Sequence, residues 1–511
     1  MRMRPDLLIV NPGGRRKIYQ SLAADLSAVE PPVWAGLIAT FARRKGYAVE
    51  ILDANAEDLS PEDVADRVVE ANPLLTAVVV YGHNPSASTQ VMPAAGAVCA
   101  ALRQRAPDAK TLLVGGHVAA LPERTLREES ASFVCDGEGP YTILDLLRAL
   151  STANPDFGKV RGLWHRADGA IRSTLPAPLV SDLDGEMPGI AWDLFPMEKY
   201  RAHNWHCFGG NERRPYAALY TTLGCPYRCT FCCIHALFKS GEKASGYGES
   251  VNSYRLWSPR SVVAEIDTLA NEYGVKNIKF ADEIFILNRD HVNGICDLLI
   301  ERGHGLNIWA YARVDTLGSI DLEKLKRAGV NWLALGIESA SDRVRSDAVK
   351  GYAPDRIFRS VEKIRAAGIH IGANYIFGLP EDDLASMQAT LDLALELKTE
   401  WANFNCAMAY PGSPLYRTAV EEGWPLPSDW SGYSQYAAGC LPLPTRYLSS
   451  AEVLRFRDHA FQAYFNSPRY RKTVARIFGH KALGHVVDMM RNTITRNDAR
   501  SGAADRQGGL S

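Results

Sequence analysis

Gly224-Cys225-Pro226-Tyr227-Arg228-Cys229-Thr230-Phe231-Cys232 follows directly on a β-forming apolar run, Ala217 to Thr222. The spacing is CxxxCxxC, with an aromatic immediately before the last cysteine, so three thiols share one loop at a strand end. Three soft thiolates on one loop suit a 4Fe–4S cubane, where three irons take protein sulfur and the fourth stays open for chemistry. A structural zinc is the competing reading. Zinc wants a fourth Cys or His at a paired spacing, and no second pair is present; Cys233 is adjacent to Cys232, and His235 is a conceivable fourth ligand.

Outward from this loop, strand and helix patterns alternate. Strands are expected near Ala217–Thr222, Asn277–Ala281, Leu306–Tyr311, Trp332–Leu335, Ile369–Phe377 and Ala402–Ala407. Six such units over residues 215–410 fit a partial (β/α)6 barrel. The helix after Trp257 illustrates the reading: Ser258 can cap it, Pro259 suits its first turn, and Val262, Ile266, Leu269 and Tyr273 line one face.

Residues 1–150 read as a second α/β unit. Fully apolar runs at Leu7–Val10, Val49–Leu52, Ala77–Val80, Thr111–Val114 and Phe133–Cys135 are separated by helical stretches. Such runs imply a parallel sheet covered on both faces, a doubly wound Rossmann-like domain. In these sheets ligands sit beyond the carboxyl ends of the strands. Those ends carry Asn11-Pro12-Gly13-Gly14, Tyr81-Gly82-His83, Gly115-Gly116-His117 and Gly137-Glu138-Gly139. No GxGxxG follows the first strand, which disfavours a nicotinamide cofactor. Residues 151–214 carry scattered prolines and little periodicity and read as a linker. A mostly helical C-terminal region is expected over 411–494 and a disordered tail over 495–511.

At 511 residues the chain is long enough for about three domains. Its 46% hydrophobic and 23% charged residues are those of an ordinary globular protein. With 57 Lys and Arg against 58 Asp and Glu, the net charge of −1 gives no general pull toward nucleic acid or an anionic membrane. No apolar run approaches the roughly 18 residues of a membrane helix, and Leu7-Leu8-Ile9-Val10 is too short for a signal-peptide core. A cytoplasmic location is therefore expected. Residues 469–511 carry nine Lys or Arg and three Asp, a local excess that reads as a solvated helix and tail, or alternatively as contact with an anionic substrate, carrier or membrane surface.

The cysteine loop resembles that of the radical S-adenosylmethionine (SAM) enzymes, and the N-terminal domain is similar to that of their cobalamin-binding branch, over roughly residues 5–415. The resemblance implies that Cys225, Cys229 and Cys232 hold the cluster, whose open iron chelates SAM; Phe231 is the hallmark aromatic. Further family-like stretches follow in order at strand ends: Phe280-Ala281-Asp282-Glu283, Ala312-Arg313-Val314-Asp315, Gly336-Ile337-Glu338-Ser339, Ile376-Phe377-Gly378-Leu379-Pro380-Glu381 and Tyr410-Pro411-Gly412-Ser413-Pro414. By resemblance Glu338 bonds the SAM ribose, Gly336 lies beside it, and Asp282, Glu283 and Arg313 line the cleft near the methionyl end. Many relatives have Asp-Asp where this chain has Asp282-Glu283.

For cobalamin, the resemblance rests on Pro31 to Leu37, on Gly115-Gly116-His117 with Leu121-Pro122-Glu123, and on Asp136 to Gly139. It implies a corrin against the loops at Asn11–Gln20 and Tyr81–Ser88, touching Asn11, Pro12, Gly13, Tyr81 and Ser86. The nucleotide tail would run toward Gly115, Gly116 and His117, with Gly137, Glu138 and Gly139 beside it. No DxHxxG is present, so neither His83 nor His117 is expected to ligate cobalt. A degenerate domain without the cofactor is the alternative.

Among the other cysteines, Cys99, Cys135 and Cys296 sit in apolar contexts, while Cys207, Cys233, Cys406 and Cys440 lie nearer cleft positions. Trp424, Trp430, Tyr433 and Tyr436 are expected either to shape the pocket or to serve as core. The function implied is a cobalamin-dependent radical SAM methyltransferase acting on an unactivated carbon of a natural-product or lipid intermediate. One SAM would methylate cobalamin, and a second would yield the 5′-deoxyadenosyl radical. Implied partners are a small-molecule substrate and a reducing donor such as flavodoxin or ferredoxin, with no nucleic acid. Alternatives are a cyclisation, rearrangement or epimerisation without methyl transfer and, in another class, a non-catalytic iron–sulfur or cobalamin sensor or carrier, which would not cleave SAM. A methylthiotransferase would need a second cysteine set in the N-terminal domain and an RNA-binding C-terminal module, and neither is evident.

Overall fold

The computed structural model describes residues 4–20, 26–492 and 494–497. Strands β1 (Leu7–Asn11), β2 (Val49–Asp53), β3 (Leu75–Val80), β4 (Thr111–Gly115) and β5 (Phe133–Cys135) form a parallel sheet in the order β2-β1-β3-β4-β5. Alternate residues of each strand enter different cores. Leu7, Ile9, Ala77, Val79, Leu112 and Val114 pack against the helix Val33–Arg44 side, with Ile38. Leu8, Val10, Val78, Val80 and Leu113 pack on the opposite face with Val64, Met92 and Val98. That two-sided burial is why the strands read as unbroken apolar runs. The strand order reverses between β1 and β3, which places a ligand crevice at their carboxyl ends.

Two further strands extend this sheet, β6 (Leu163–Ala167) and β7 (Ala170–Ser173), both antiparallel. They lie in the stretch read above as a linker. Their alternation is short, and β7 is largely exposed, so no hydrophobic signal marks them. The rest of that stretch is packed, with Met187, Trp192, Phe195 and Tyr200 buried between the sheet's helices and the second body.

The second body is an open barrel of six parallel strands: β8 (Tyr216–Leu219), β11 (Asn277–Phe280), β12 (Asn307–Arg313), β13 (Val330–Glu338), β14 (His370–Phe377) and β15 (Trp401–Cys406). Each pairs with the next in chain order, as repeated strand–helix units require. A short antiparallel ladder, β9 (Thr222–Gly224) with β10 (Tyr254–Leu256), stands beside it. Trp205, from the packed stretch, closes the amino-terminal mouth against Trp309, Trp332 and Trp401. Chemistry is thereby directed to the carboxyl ends of the strands.

The C-terminal region is mostly helical: Pro414–Glu421, Ser450–Asn466 and Pro468–Met490, the last broken at Gly479. No helix among the described residues is long and apolar enough to cross a membrane. Of the stretch read as a disordered tail, Thr495, Arg496 and Asn497 are bonded: Thr495 to Gln20, Arg496 to Asp458, and the Asn497 amide to the Ala438 carbonyl. The remainder, from 498, lies outside the described residues.

Candidate active site

Gly224 ends β9 with φ +90°, and a Cβ there would run into the Ser253 carbonyl oxygen. Only glycine lets the chain turn so tightly into the cysteine loop. Cys225, Cys229 and Cys232 follow as free thiols. Arg313, at the end of β12, donates to Cys229 Sγ at 3.3 Å, pairs with Asp315 at 2.8 Å, and lies 3.8 Å over the Tyr227 ring. A cation is thus supplied to the loop where thiolates would form. Burial pushes the Cys225 thiol up to about 12 and raises Cys232 as well, so their deprotonation waits for metal. Phe231 packs against Val344, Leu379 and Ala407 and anchors the loop to the barrel wall. Among the described residues no three Cys, His, Asp or Glu side chains form a group that could hold one metal ion. A cubane makes no such demand, since each of three irons takes its own thiolate. His235 Nε2 donates to the Tyr227 carbonyl at 2.7 Å, which braces the same loop.

Along the barrel rim the sequence-predicted residues divide. Asp282 is fully buried, and its Oδ1 accepts from the Thr221 amide at 2.9 Å and from the Thr222 hydroxyl at 2.7 Å. Through Oδ1 it braces the β8–β9 turn, while its Oδ2 is buried without a hydrogen-bond partner. Glu283 does face a cavity; burial and the neighbouring Asp282 raise its carboxyl to about 8. Glu338 ends β13 at a register shift, with φ +65°, a conformation that costs a non-glycine residue of order 1–3 kcal/mol. It is paired there with Lys350, a residue that no motif had marked. A Cβ on Gly336 would collide with both side-chain ends, so Gly336 makes their room.

At the carboxyl ends of β1 and β3 lies a cavity of about 140 Å³, lined by Asn11, Pro12, Gly13, Arg15, Tyr81 and His83 among others. Asn11 is held by Asp53 at 2.7 Å. The Nε and Nη1 atoms of Arg15 are buried without a hydrogen-bond partner. A buried guanidinium with two unpaired nitrogens calls for an acceptor from a ligand, and the amide and phosphate oxygens at the edge of a cobalamin are acceptors of that kind. His83 Nε2 donates to the Pro31 carbonyl at 2.7 Å, and its Nδ1 lies 3.1 Å from Glu30. His117 is buried, contacts Thr89 at 3.2 Å and is driven down to about 3 by desolvation, so it is neutral.

Tyr81 Oη donates to the Glu138 carbonyl at 2.8 Å, and the Tyr81 ring stacks on Trp34 at 4.8 Å. The Glu138 carboxylate itself is taken by Arg255 at 2.6 Å and the Val180 amide at 2.5 Å. Gly115 packs so closely that a Cβ would strike the Val80 carbonyl, and Gly137 and Gly139 have positive φ. Ser86 and Gln90 reach Tyr410, which also donates to the Tyr433 carbonyl at 3.1 Å. Trp430 stands edge-on to His117 at 4.4 Å, and Tyr436 lies 5.6 Å from Tyr19, so the C-terminal aromatics close over the sheet-end loops; Trp424 packs with Leu415 and Leu443.

A smaller cavity joins the two bodies. Tyr81, Gly82 and Gly116 come to it from the sheet ends, and Tyr220, Cys233 and Glu283 from the barrel. Cys207 instead lies at the amino-terminal mouth, 3.6 Å from Asn277, and Cys406 is buried beside Tyr433 and Val453. The sequence reading had not singled out Arg15, Glu30, Lys279, Arg255 or Lys350. Only Lys279, a charge inside the buried strand Asn277-Ile278-Lys279-Phe280, left a signal there.

Residues 219–394 match the family model of the Radical SAM superfamily, and residues 19–147 that of the B12 binding domain. An uncharacterized methyltransferase of Pyrococcus horikoshii is 28% identical over 88% of this chain and 90% of its own length. An anaerobic magnesium-protoporphyrin IX monomethyl ester cyclase of Rubrivivax gelatinosus is 26% identical over 78% of this chain and 68% of its own. The structure of the radical SAM methyltransferase TsrM of Kitasatospora setae, with cobalamin and a [4Fe–4S] cluster bound, superposes with TM-score 0.65 at 18% identity, covering 91% of this chain and 90% of that one.

Proposed function

The chain belongs to the cobalamin-binding branch of the radical SAM enzymes, and from that premise we propose that it is a methyltransferase acting on an unactivated carbon of a small molecule. One observation carries the reading: the sheet-end loops and the barrel rim border one cavity, with Tyr81, Gly82 and Gly116 on one side and Tyr220, Cys233 and Glu283 on the other. Bound at these sites, the cluster with SAM supplies a carbon-centred radical and cobalamin supplies the methyl group. The chain's own task is to hold both reacting centres on opposite sides of one substrate atom and to keep water out.

Cys225, Cys229 and Cys232 would hold the cluster, with Arg313 offsetting their charge. Glu338 would exchange Lys350 for the ribose hydroxyls of SAM, a charge-assisted contact. Asn11, Pro12, Gly13 and Arg15 would cradle the corrin. Trp34, Tyr220, Ile234 and Leu237 give the shared cavity, about 30 Å³, an apolar wall, and the substrate class we propose is a natural-product or lipid intermediate. Glu283 is a polar group in that wall and stays protonated to about pH 8. Flavodoxin or ferredoxin is the class of reductant that suits such a cluster.

A second reading, a radical cyclisation or rearrangement without methyl transfer, draws on the likeness to the cyclase of Rubrivivax gelatinosus. Anaerobic reconstitution with iron, sulfide and hydroxocobalamin, then reduction with SAM, separates the two. 5′-Deoxyadenosine, lost in Cys229→Ala, together with S-adenosylhomocysteine is expected. 5′-Deoxyadenosine alone favours the second reading, and a chain that takes up neither cluster nor cobalamin overturns both.

A further inference from the structure

We propose that two ion pairs, the buried Glu138 with Arg255 and the partly exposed Glu30 with the buried Lys279, clamp the doubly wound domain to the barrel and set the separation between cobalt and cluster, a role that rests on the functional reading above. In each pair the carboxylate comes from the doubly wound domain and the cation from a strand beside the cysteine loop or barrel rim.

Glu138 receives Arg255 at two points, 2.6 and 3.2 Å, and the Val180 amide at 2.5 Å. The two side chains are only 4% and 7% exposed. Arg255 stands opposite Leu223 in the β9–β10 ladder, two residues before Cys225. On the other side, the Glu138 carbonyl accepts from Tyr81, which lines both cavities. One clasp therefore spans the wall of the sheet-end cavity and the first cysteine of the loop.

Glu30 accepts from Lys279 Nζ at 3.1 Å and from Tyr216 Oη at 3.0 Å, with His83 at 3.1 Å. Burial alone would raise its carboxyl, but His83 and Lys279 outweigh that and hold it well below the usual carboxylate range. Lys279 is buried over Trp309, at 4.7 Å from the ring, three residues before Asp282. This second clasp joins the segment just before the helix Val33–Arg44 to β11, the strand that leads to Glu283.

Charges here are an uneconomical way to gain stability, because buried pairs roughly cancel their own desolvation. Their distinctive property is direction: a forked guanidinium–carboxylate contact fixes register where an apolar interface tolerates sliding. A radical step in which the substrate must lie between two cofactors is sensitive to displacements near 1 Å.

The discriminating variant is Glu138→Leu with Arg255→Met, which keeps bulk and apolar packing while removing direction; Glu30→Gln with Lys279→Met is its counterpart. In the holoenzyme, pulsed EPR between cob(II)alamin and the reduced cluster should give one narrow distance in the wild type. At an unchanged melting temperature, the double variant should show a distribution at least twice as broad. In the chain as purified, the amides of Val29 and Arg201, which bridge the N-terminal domain to the packed stretch without contacting Glu138 or Arg255, should exchange at least tenfold faster. Unaltered width and unaltered exchange overturn the clamp. A wild type that binds no cobalamin or cluster refutes the functional reading instead, and the exchange result then still decides whether the clamp exists.

Discussion

At the scale of single residues, Glu338 and Glu265 show what burial does to a carboxylate. Glu338 is held in a left-handed conformation and bonded to Lys350. Glu338→Gln keeps the shape and removes the charge, so SAM should bind about 10- to 100-fold more weakly, the range for one charge-assisted hydrogen bond; calorimetric titration checks it. Glu265 Oε1 accepts from the Ile190 amide at 3.0 Å and Trp192 Nε1 at 2.9 Å, while burial raises the carboxyl to about 7. Because the folded value exceeds the unfolded one, this group contributes no penalty below about pH 4.5 and a growing one as pH rises to about 7. Glu265→Gln preserves both bonds and should be more stable than wild type by roughly 1–3 kcal/mol at pH 8 and equal to it at pH 4, as read by denaturant titration.

At the scale of elements, the cysteine loop depends on the turn that launches it. Gly224→Ala places a methyl against the Ser253 carbonyl in a positive-φ conformation, and the turn must open. Iron and sulfide per reconstituted chain should fall by more than half; full loading would refute the close-approach argument. The helix Pro259–Glu272 was legible in sequence down to its cap: Ser258 accepts from the Ser261 amide, Pro259 opens the first turn, and Val262, Ile266 and Leu269 are buried. Ser258→Ala should cost about 1 kcal/mol. The hairpin β6–β7 was not legible, because its strands are short, half-exposed and stabilised by addition to a sheet edge.

At the scale of the whole molecule, one core runs through Trp34 and Phe41 of the first body, Trp192 and Tyr200 of the packed stretch, and Tyr216 and Ile278 of the barrel. Apolar surface shared in this way couples the parts during unfolding. Calorimetry should show one transition; two well-separated transitions would contradict the shared core. Opening of the two domains would expose Trp34, so a rise in tryptophan quenching by acrylamide should accompany unfolding and not precede it.

The amino-acid sequence by itself determined the two α/β bodies, the six barrel strands and the cysteine loop, because periodicity, capping and ligand spacing are local properties. Tertiary structure alone decided which charges face a cavity. Asp282 and Glu283 are neighbours in sequence, yet one is bonded to Thr221 and Thr222 and the other borders the shared cavity. Glu138 lies in a glycine loop that looks made for a ligand and instead grips Arg255, more than a hundred positions away. Lys350 meets Glu338 only because the chain returns after β13. A side chain's partner is fixed by where distant segments pack, and the free energy of burying a charge depends on that partner.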